Sequence, residues 1–232
     1  MDKLLRGVRH FRENVFNHRR NEYLRVAKSQ SPLALFITCS DSRVDPELLT
    51  SSGPGDIFVL RNAGNLIPPY SRASNGEAAT IEYAIAGLGV PHVVVCGHVG
   101  CGAMRALLEP NLLTDLPMTE SWLSHAHSTR AIAERCCADD AAFDDRWQSL
   151  VEINVVSQLE HLGTHPTVAA GLASGSIELH GWIFDFHQGQ VSGYDSIAGR
   201  FIPLNGESPT QYRPRWRMPM QQSTQVERRE AV

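Results

Sequence analysis

Short continuous apolar runs are the clearest feature of the hydrophobic pattern. Residues 33–38 (LALFIT), 57–60 (IFVL) and 93–96 (VVVC) contain almost no polar side chains and are too short for helices. Runs of this kind are typical of strands that are buried on both faces of a parallel sheet. We expect Gly97 to end the third strand.

Polar and apolar residues alternate over a longer stretch nearer the carboxyl end. Residues 177–186 have the alternation of a strand, and Gln188 and Gly189 predict a turn into a further strand over 190–194. Such a hairpin would add an antiparallel edge to the sheet.

Helix-start signals and helical spacing occur between the apolar runs. The first thirty residues predict one or two helices with a charged side, and Asp45-Pro46 predicts a helix with Asp45 as its N-cap. Ser74 and Glu77 have the spacing of a capping box. The helix after them has one apolar stripe, made of Ala78, Ile81, Ile85 and Leu88.

The second half of the chain predicts three more helices, near residues 119–138, over 146–162 and from Pro166 onward. The second of these has apolar residues at helical spacing, namely Val151, Val155, Leu159 and Leu162. Strands that alternate with helices predict an α/β fold with a mostly parallel sheet, of about four parallel strands and an antiparallel edge.

The composition changes after Leu204. Residues 1–204 are long enough for one domain with a well-buried core. Residues 205–232 are rich in proline, glutamine, arginine and serine and contain few aliphatic side chains. We expect this segment to be a mobile or surface-draped tail, with a docking segment for a partner as the alternative.

Overall composition argues against two classes of protein. The net charge of −4 gives no sign of the basic face that nucleic-acid-binding proteins usually carry. No apolar run approaches the roughly 20 residues that span a bilayer, and the N-terminus lacks the apolar core of a secretory signal. The sequence therefore predicts a cytoplasmic protein that binds neither nucleic acid nor membrane.

The five cysteines are odd in number and irregularly spaced, which favours free thiols over a disulfide framework. Cys96 lies in an apolar run and is interpreted as a core residue. Cys136 and Cys137 are adjacent, so a bridge between them would be strained. Some of the five thiols are therefore available as metal ligands.

Three metal-binding side chains follow the ends of two predicted strands. Cys39 comes directly after LALFIT, and His98 and Cys101 come just after VVVC. Ligands gather beyond the carboxyl ends of strands in open α/β sheets. Two sulfurs and one nitrogen suit zinc, and a set of three leaves the fourth position open for water, as catalytic sites do. Alternatively, the cysteines are ordinary buried thiols and His98 is a turn residue.

An acid and a base lie directly after the first candidate ligand. Asp41 and Arg43 are two residues apart in the segment CSDSR. A surface ion pair is the simpler interpretation and would contribute little. Beside a metal, Arg43 would instead hold Asp41 ionised, and Asp41 would orient a metal-bound water by accepting its hydrogen bond.

Several segments in the same order resemble the β-class carbonic anhydrases. They are CSDSRVDPELL, GDIFVLRNAGN, EYAI, GHVGCGAM and HGWIFD, within a similarity that runs from about residue 3 to about residue 204. The resemblance implies reversible hydration of carbon dioxide to bicarbonate by hydroxide on one zinc ion per subunit. It also implies N-terminal helices that pack on a partner subunit, in a homodimer or a higher assembly of dimers.

The resemblance also assigns roles to individual residues. It implies that Cys39, His98 and Cys101 bind the zinc ion and that Asp41 and Arg43 form a catalytic pair. The residues that it places around the substrate are Gln30, Phe58, Tyr83 and, through its backbone amide, Gly102. From their own sequence context, Phe58 and Tyr83 are equally consistent with core positions.

Phe36 indicates a subtype within the family. Some bacterial members have tryptophan at this position, three residues before the first zinc cysteine, as part of an inhibitory bicarbonate pocket. Phenylalanine here resembles the plant-like members, in which Asp41 would pair with Arg43 and not bind zinc.

Two alternative functions remain open in the sequence. Relatives with the same ligands hydrolyse carbon disulfide or carbonyl sulfide. Others reside in carboxysomes, where the chain would be a zinc-stabilised scaffold subunit that docks through residues 205–232. His125 and His127 are candidates for the residue that carries the proton to buffer, but exposed helical histidines are the simpler interpretation, and the sequence does not identify the shuttle.

Overall fold

The computed structural model describes residues 1–73, 75–136, 140–206 and 209–212. The strands are β1 (Ala34–Cys39), β2 (Ile57–Asn62), β3 (His92–His98), β4 (Glu178–Asp185), β5 (Gln190–Asp195) and β6 (Arg200–Pro203). Within the described residues, these six strands form one mixed sheet with the order β2-β1-β3-β4-β5-β6.

Strand direction follows the sequence prediction. β2, β1, β3 and β4 run parallel, and β5 and β6 are antiparallel additions at one edge. This confirms an α/β fold with four parallel strands and an antiparallel edge. β6 was not predicted, because four residues with one proline give too short a pattern to recognise. Since β1 and β3 are parallel neighbours, their last residues, Cys39 and His98, lie side by side at the carboxyl end of the strands.

The prediction that Gly97 ends β3 is wrong. The strand continues to His98, and Gly97 pairs with Ile183 of β4. A Cβ atom at residue 97 would lie 2.8 Å from a methyl group of Val155, so the missing side chain lets a helix pack closely on the strand. Glycine here permits a close approach and does not mark a turn.

Helices occupy most of residues 2–26, which confirms the helices predicted for the first thirty residues. α1 (Asp2–His10) continues through a π-helical turn (Phe11–Val15) into α2 (Phe16–His18), and α3 (Arg20–Val26) follows. No residue of α1 is buried in the chain. The exposed apolar side chains of this segment include Leu4, Leu5, Val8 and Phe11.

Two helix starts show how local sequence sets the boundaries. α4 (Pro46–Thr50) begins after Asp45, whose carboxylate accepts a 3.0 Å hydrogen bond from the Leu48 amide, which confirms the predicted cap. α5 (Gly76–Glu82) is capped by Asn75 and continues into a π-helical turn (Tyr83–Gly87). Ser74, the capping residue favoured by the sequence, lies outside the described residues.

The remaining helices cover the sheet and the site. They are α6 (Gly102–Leu108), α7 (Pro117–Leu123), α8 (His127–Cys136), α9 (Phe143–Gly163) and α10 (Pro166–Ser174), with 3-10 turns at Pro110–Leu113 and Ser124–Ala126. The single helix predicted near residues 119–138 is thus two helices. The Ser124 hydroxyl donates to the Ser121 carbonyl at 2.6 Å, a local bond that competes with regular helix. Cys137 lies outside the described residues.

The main core lies between the sheet and α9, which packs on β3 and β4. The apolar stripe predicted for this helix is confirmed, because Val151, Val155, Leu159 and Leu162 are all buried. Burial of four such side chains stabilises the sheet by several kcal/mol, at about 1.5–3 kcal/mol each.

A buried polar bridge joins α9 to the loop after β2. Gln158 Oε1 accepts a 2.7 Å hydrogen bond from the Ile67 amide, and its Nε2 donates to Asn154 Oδ1 at 3.0 Å. Asn154 Nδ2 donates in turn to the Gly64 carbonyl at 3.0 Å. The helix therefore fixes the loop that carries Gly64.

Replacing Gln158 with leucine is expected to lower the free energy of unfolding by about 1–3 kcal/mol, because it leaves the buried Ile67 amide without an acceptor. Denaturant unfolding at a fixed protein concentration measures the loss. Glu160→Gln, an exposed change on the same helix, is the control and should stay within about 0.5 kcal/mol of the parent. An unchanged unfolding free energy in Gln158→Leu would show that the bridge does not contribute.

The described residues beyond Leu204 contact the sheet. The Tyr212 amide donates to the Leu179 carbonyl at 3.3 Å, and the Ser196 hydroxyl donates to the Gln211 carbonyl at 2.7 Å. Tyr212 is buried in the main core, so this part of the segment 205–232 packs into the fold. Residues 207–208 and 213–232 lie outside the described residues, and the tail stays a prediction there. None of the described helices is both long and apolar enough to cross a bilayer.

Candidate active site

The carboxyl ends of β1 and β3 bring Cys39, His98 and Cys101 together. Cys39 is the last residue of β1, His98 the last of β3, and Cys101 directly precedes α6. All three are buried, and the two Sγ atoms and one imidazole nitrogen lie within 4.8 Å of one another. The structure therefore gathers the three predicted ligands at one point.

His98 presents a nitrogen lone pair to this cluster. Its Nδ1 lies 2.9 Å from the Val99 carbonyl oxygen, which only accepts, so Nδ1 carries the proton. Nε2 is then an acceptor, and it is buried without a hydrogen-bond partner. An unsatisfied buried acceptor costs about 1–3 kcal/mol. A cation bound between Nε2 and the two sulfurs would remove that cost, so the donor set fits zinc.

The two thiols are electrostatically coupled. A hydrogen bond from Cys101 lowers the pKa of Cys39, and the Gly64 amide supports that thiolate with a 3.4 Å hydrogen bond to Sγ. The shared hydrogen bond and burial then raise the pKa of Cys101, because a second charge would be placed beside the first. A divalent cation would offset both charges and allow both thiols to ionise.

Asp41 and Arg43 form a two-pronged ion pair beside the cluster. Arg43 Nε donates to Asp41 Oδ1 at 2.9 Å, and Nη2 donates to Oδ2 at 2.7 Å. These hydrogen bonds hold the pKa of the Asp41 carboxyl well below its usual range. The guanidinium carbon of Arg43 lies 4.3 Å from the centre of the Phe186 ring, so the ring packs on one face of the guanidinium while its edge binds Asp41.

The Asp41 carboxylate also faces the cluster. Its Oδ2 lies 3.8 Å from His98 Nε2, and only 17% of the side chain is exposed. Both oxygens already accept from Arg43, yet a carboxylate has about four acceptor positions. Asp41 therefore has capacity to accept another hydrogen bond at the point where the three ligand atoms meet.

Comparison with known proteins identifies the family. The carbonic anhydrase family model matches residues 34–191. The carbonic anhydrase of Synechococcus elongatus is 49% identical over 195 residues, which cover 82% of this chain and 70% of the relative. The carbonic anhydrase of Pseudomonas aeruginosa is 43% identical, with 88% of this chain and 92% of the relative covered.

Comparison with solved structures gives the same family. The β-carbonic anhydrase CcaA has a TM-score of 0.87 and 40% identity, and the match covers 91% of this chain and 94% of that chain. A β-carbonic anhydrase of Sordaria macrospora, described as tetrameric, has a TM-score of 0.74 and 26% identity, with 88% and 96% covered. The chain belongs to the β-class carbonic anhydrases. Its enzyme class is therefore carbonate dehydratase, and the cysteine–histidine–cysteine cluster is typical of the zinc site of this family.

The residues that the family resemblance places around the substrate lie in two separate regions of the fold. Gly102 is the first residue of α6, directly after Cys101. Its amide is one of the first-turn amides that have no hydrogen-bond acceptor within the helix. Phe58 pairs with Leu35, four residues before Cys39, so it lies about 13 Å from the cluster along the sheet. The Tyr83 ring lies 6.0 Å from the Phe58 ring.

Gln30 and Tyr83 are exposed, and Gln30 lies in the segment that leads into β1, also at the amino end of the strands. Within one chain, Gln30, Phe58 and Tyr83 are thus grouped at the end of the sheet opposite the end that carries Cys39. Tyr83 remains 51% exposed, which a core residue would not be.

Three residues that sequence reasoning did not single out support the cluster. Arg61 Nη2 donates to the carbonyls of Cys39 at 3.0 Å and Asp41 at 2.7 Å, which holds the segment between them. Trp147 Nε1 donates to the Cys101 carbonyl at 2.9 Å, and Phe186 stacks on Arg43. Arg61 could have been found, since a charged residue directly after the apolar run IFVL marks a strand end.

Proposed function

We propose that this chain catalyses the reversible hydration of carbon dioxide with one zinc ion held by Cys39, His98 and Cys101. The observation that carries the proposal is the buried, unpaired His98 Nε2 between two coupled thiols, with the Asp41 carboxylate 3.8 Å away. Zinc content and stopped-flow carbon dioxide hydration, measured on the same purified protein, test it.

The protein's own groups prepare the reaction. Zinc would act as a Lewis acid that lowers the pKa of a water molecule. Asp41 orients the attacking water by accepting its hydrogen bond, while Arg43 holds the carboxylate ionised and in position. The backbone amide of Gly102, at the amino end of α6, would stabilise negative charge that develops on the substrate oxygen. This arrangement matches the plant-like subtype indicated by Phe36, in which Asp41 stays with Arg43.

A second copy of the chain completes the substrate pocket in this proposal. Gln30, Phe58 and Tyr83 lie too far from Cys39 to act on the site of their own subunit, yet the exposed Tyr83 is available to another subunit. The exposed apolar residues of α1 support a dimer of this kind, since contiguous apolar surface marks interaction sites. We expect a homodimer or a higher assembly of dimers.

Mixed dimers test this arrangement. We expect a Cys39→Ala chain and a Phe58→Ala/Tyr83→Ala chain each to be inactive or strongly impaired as homodimers. Co-expressed, they should recover about a quarter of the parent rate, because half of the dimers are mixed and each mixed dimer has one intact site of two. If each pocket were built from one chain, co-expression would give no recovery. Differently tagged chains allow the mixed dimer to be isolated and assayed.

The pH dependence follows from the charges at the site. Two thiolates cancel the charge of zinc, so the ion lowers the pKa of water less than it would with three imidazoles. We expect the hydration rate to rise between about pH 7 and pH 9. Asp41 does not cause this rise, because its lowered pKa keeps it ionised there and its pairing with Arg43 is lost only in strong acid. A pH–rate profile already flat from about pH 6 would contradict this assignment.

The cytoplasmic location, with the carboxysome as the alternative, and the role of residues 205–232 stay predictions of the sequence. A pull-down with and without residues 205–232 tests whether this segment docks on a scaffold protein.

A further inference from the structure

A second group of metal-binding side chains lies at the opposite end of the sheet from Cys39. His92 begins β3, Glu178 begins β4, and His180 follows two residues later. The parallel register pairs His92 with Glu178, and strand alternation puts His180 on the same face. His92 precedes His98 by six residues on β3, so the two groups are about 20 Å apart.

The three donor atoms are spaced as zinc ligands would be. His92 Nδ1 lies 3.3 Å from His180 Nε2 and 3.4 Å from Glu178 Oε2, and His180 Nε2 lies 3.8 Å from the same Glu178 oxygen. Four ligands at about 2.0–2.1 Å around a tetrahedral ion are about 3.3–3.4 Å from one another. Only modest side-chain rotation is needed to bring all three atoms to that spacing.

The charges and proton positions of the group also favour a cation. Two imidazole nitrogens 3.3 Å apart must share a proton or a cation, because two facing lone pairs repel. The Glu178 carboxylate supplies the negative charge.

The backbone holds two of the ligands in place and leaves room for a further one. The Glu178 amide donates to the Pro91 carbonyl at 2.9 Å, which fixes the start of β4 beside His92. Both histidines also line a cavity of about 420 Å³ that is walled mainly by apolar side chains. Water or a small anion has space to occupy a remaining coordination position from this cavity.

We propose that His92, Glu178 and His180 form a second metal site, separate from the Cys39 centre, that binds a divalent transition cation, with zinc as the best fit. Two histidines and one carboxylate are an established ligand set for zinc and for other first-row divalent metals. The site joins the amino ends of β3 and β4, so its occupancy stabilises the folded chain by linkage.

Metal stoichiometry tests the second site on the full-length holoprotein. After equilibration in buffered Zn²⁺, we expect two zinc ions per chain in the parent and one per chain in Glu178→Gln and in His180→Ala. His127→Ala, which removes an exposed histidine elsewhere, is the matched control and should keep two. Glu178→Gln changes a partly exposed side chain conservatively, which guards against a folding defect in His180→Ala.

Cys39→Ala separates this proposal from the proposed function, because it should lose the first ion and keep the second. Loading with Co²⁺ gives an independent readout: the ion retained by Cys39→Ala should lack the thiolate-to-cobalt absorption in the near ultraviolet. Added Zn²⁺ should also raise the thermal midpoint of Cys39→Ala but not that of Cys39→Ala/Glu178→Gln. One zinc ion per chain in the parent, or a second ion that persists in both Glu178→Gln and His180→Ala, would overturn the proposal.

Discussion

Cys39→Ala and His98→Ala are expected to lose the catalytic zinc and to hydrate carbon dioxide no faster than the uncatalysed background. Each change removes one of three ligands that meet within 4.8 Å in a buried cluster. Two remaining ligands hold zinc far more weakly than three, and neither variant can restore the missing donor. Metal analysis beside stopped-flow hydration, at equal protein concentrations, measures both losses.

Cys136→Ala is the matched control for the loss of a thiol. Cys136 is exposed at the end of α8, and its replacement should leave zinc content and rate unchanged. Because the proposed second site also binds zinc, the Cys39 and His98 variants are best compared in a Glu178→Gln background. A Cys39→Ala protein with the parent hydration rate would rule out this cluster as the catalytic centre.

Asp41→Asn is expected to keep the catalytic zinc and to lose about 10- to 100-fold in hydration rate. The change keeps the shape of the side chain but removes its charge and half of its accepting capacity. Arg43 then loses its ionic partner, and the attacking water loses the acceptor that orients it. The rate at saturating carbon dioxide should fall, since the lost hydrogen bond acts on the attacking water.

Glu47→Gln provides the control for charge removal near the site. Glu47 is exposed on the first turn of α4, six residues after Asp41, and its replacement should leave both zinc content and rate unchanged. An Asp41→Asn protein that loses its catalytic zinc together with its rate would make Asp41 a contributor to metal binding and contradict the role given to it here.

Regular elements with strong local signals were predictable from the sequence. β1 to β3 follow from short continuous apolar runs, and α9 follows from apolar residues at helical spacing, and both signals can be read directly from the sequence. The boundaries depend on tertiary contacts. Gly97 looks like a strand end, but it lies inside β3 because Val155 of α9 packs against it. The break between α7 and α8 lies at Ser124, whose hydroxyl donates to the Ser121 carbonyl, and helix propensity alone does not show it.

The meeting of Cys39, His98 and Cys101 was predictable because these residues follow strand ends within distinctive segments. The supporting contacts were not, since Trp147 and Phe186 reach the site from distant parts of the chain. The proposed second metal site was equally impossible to predict from the sequence. His92 and His180 are 88 residues apart, and only the register between β3 and β4 makes them neighbours.

The central claim is tested most directly by removing zinc and then restoring it. The Glu178→Gln protein is used, because it lacks the proposed second site and only the catalytic ion is counted. The carbon dioxide hydration rate is measured as zinc is withdrawn with a chelator and then restored. We expect the rate to follow bound zinc linearly, to vanish without it and to return fully at one ion per chain. A zinc-free protein that keeps the parent rate would contradict a zinc-dependent active site at Cys39, His98 and Cys101.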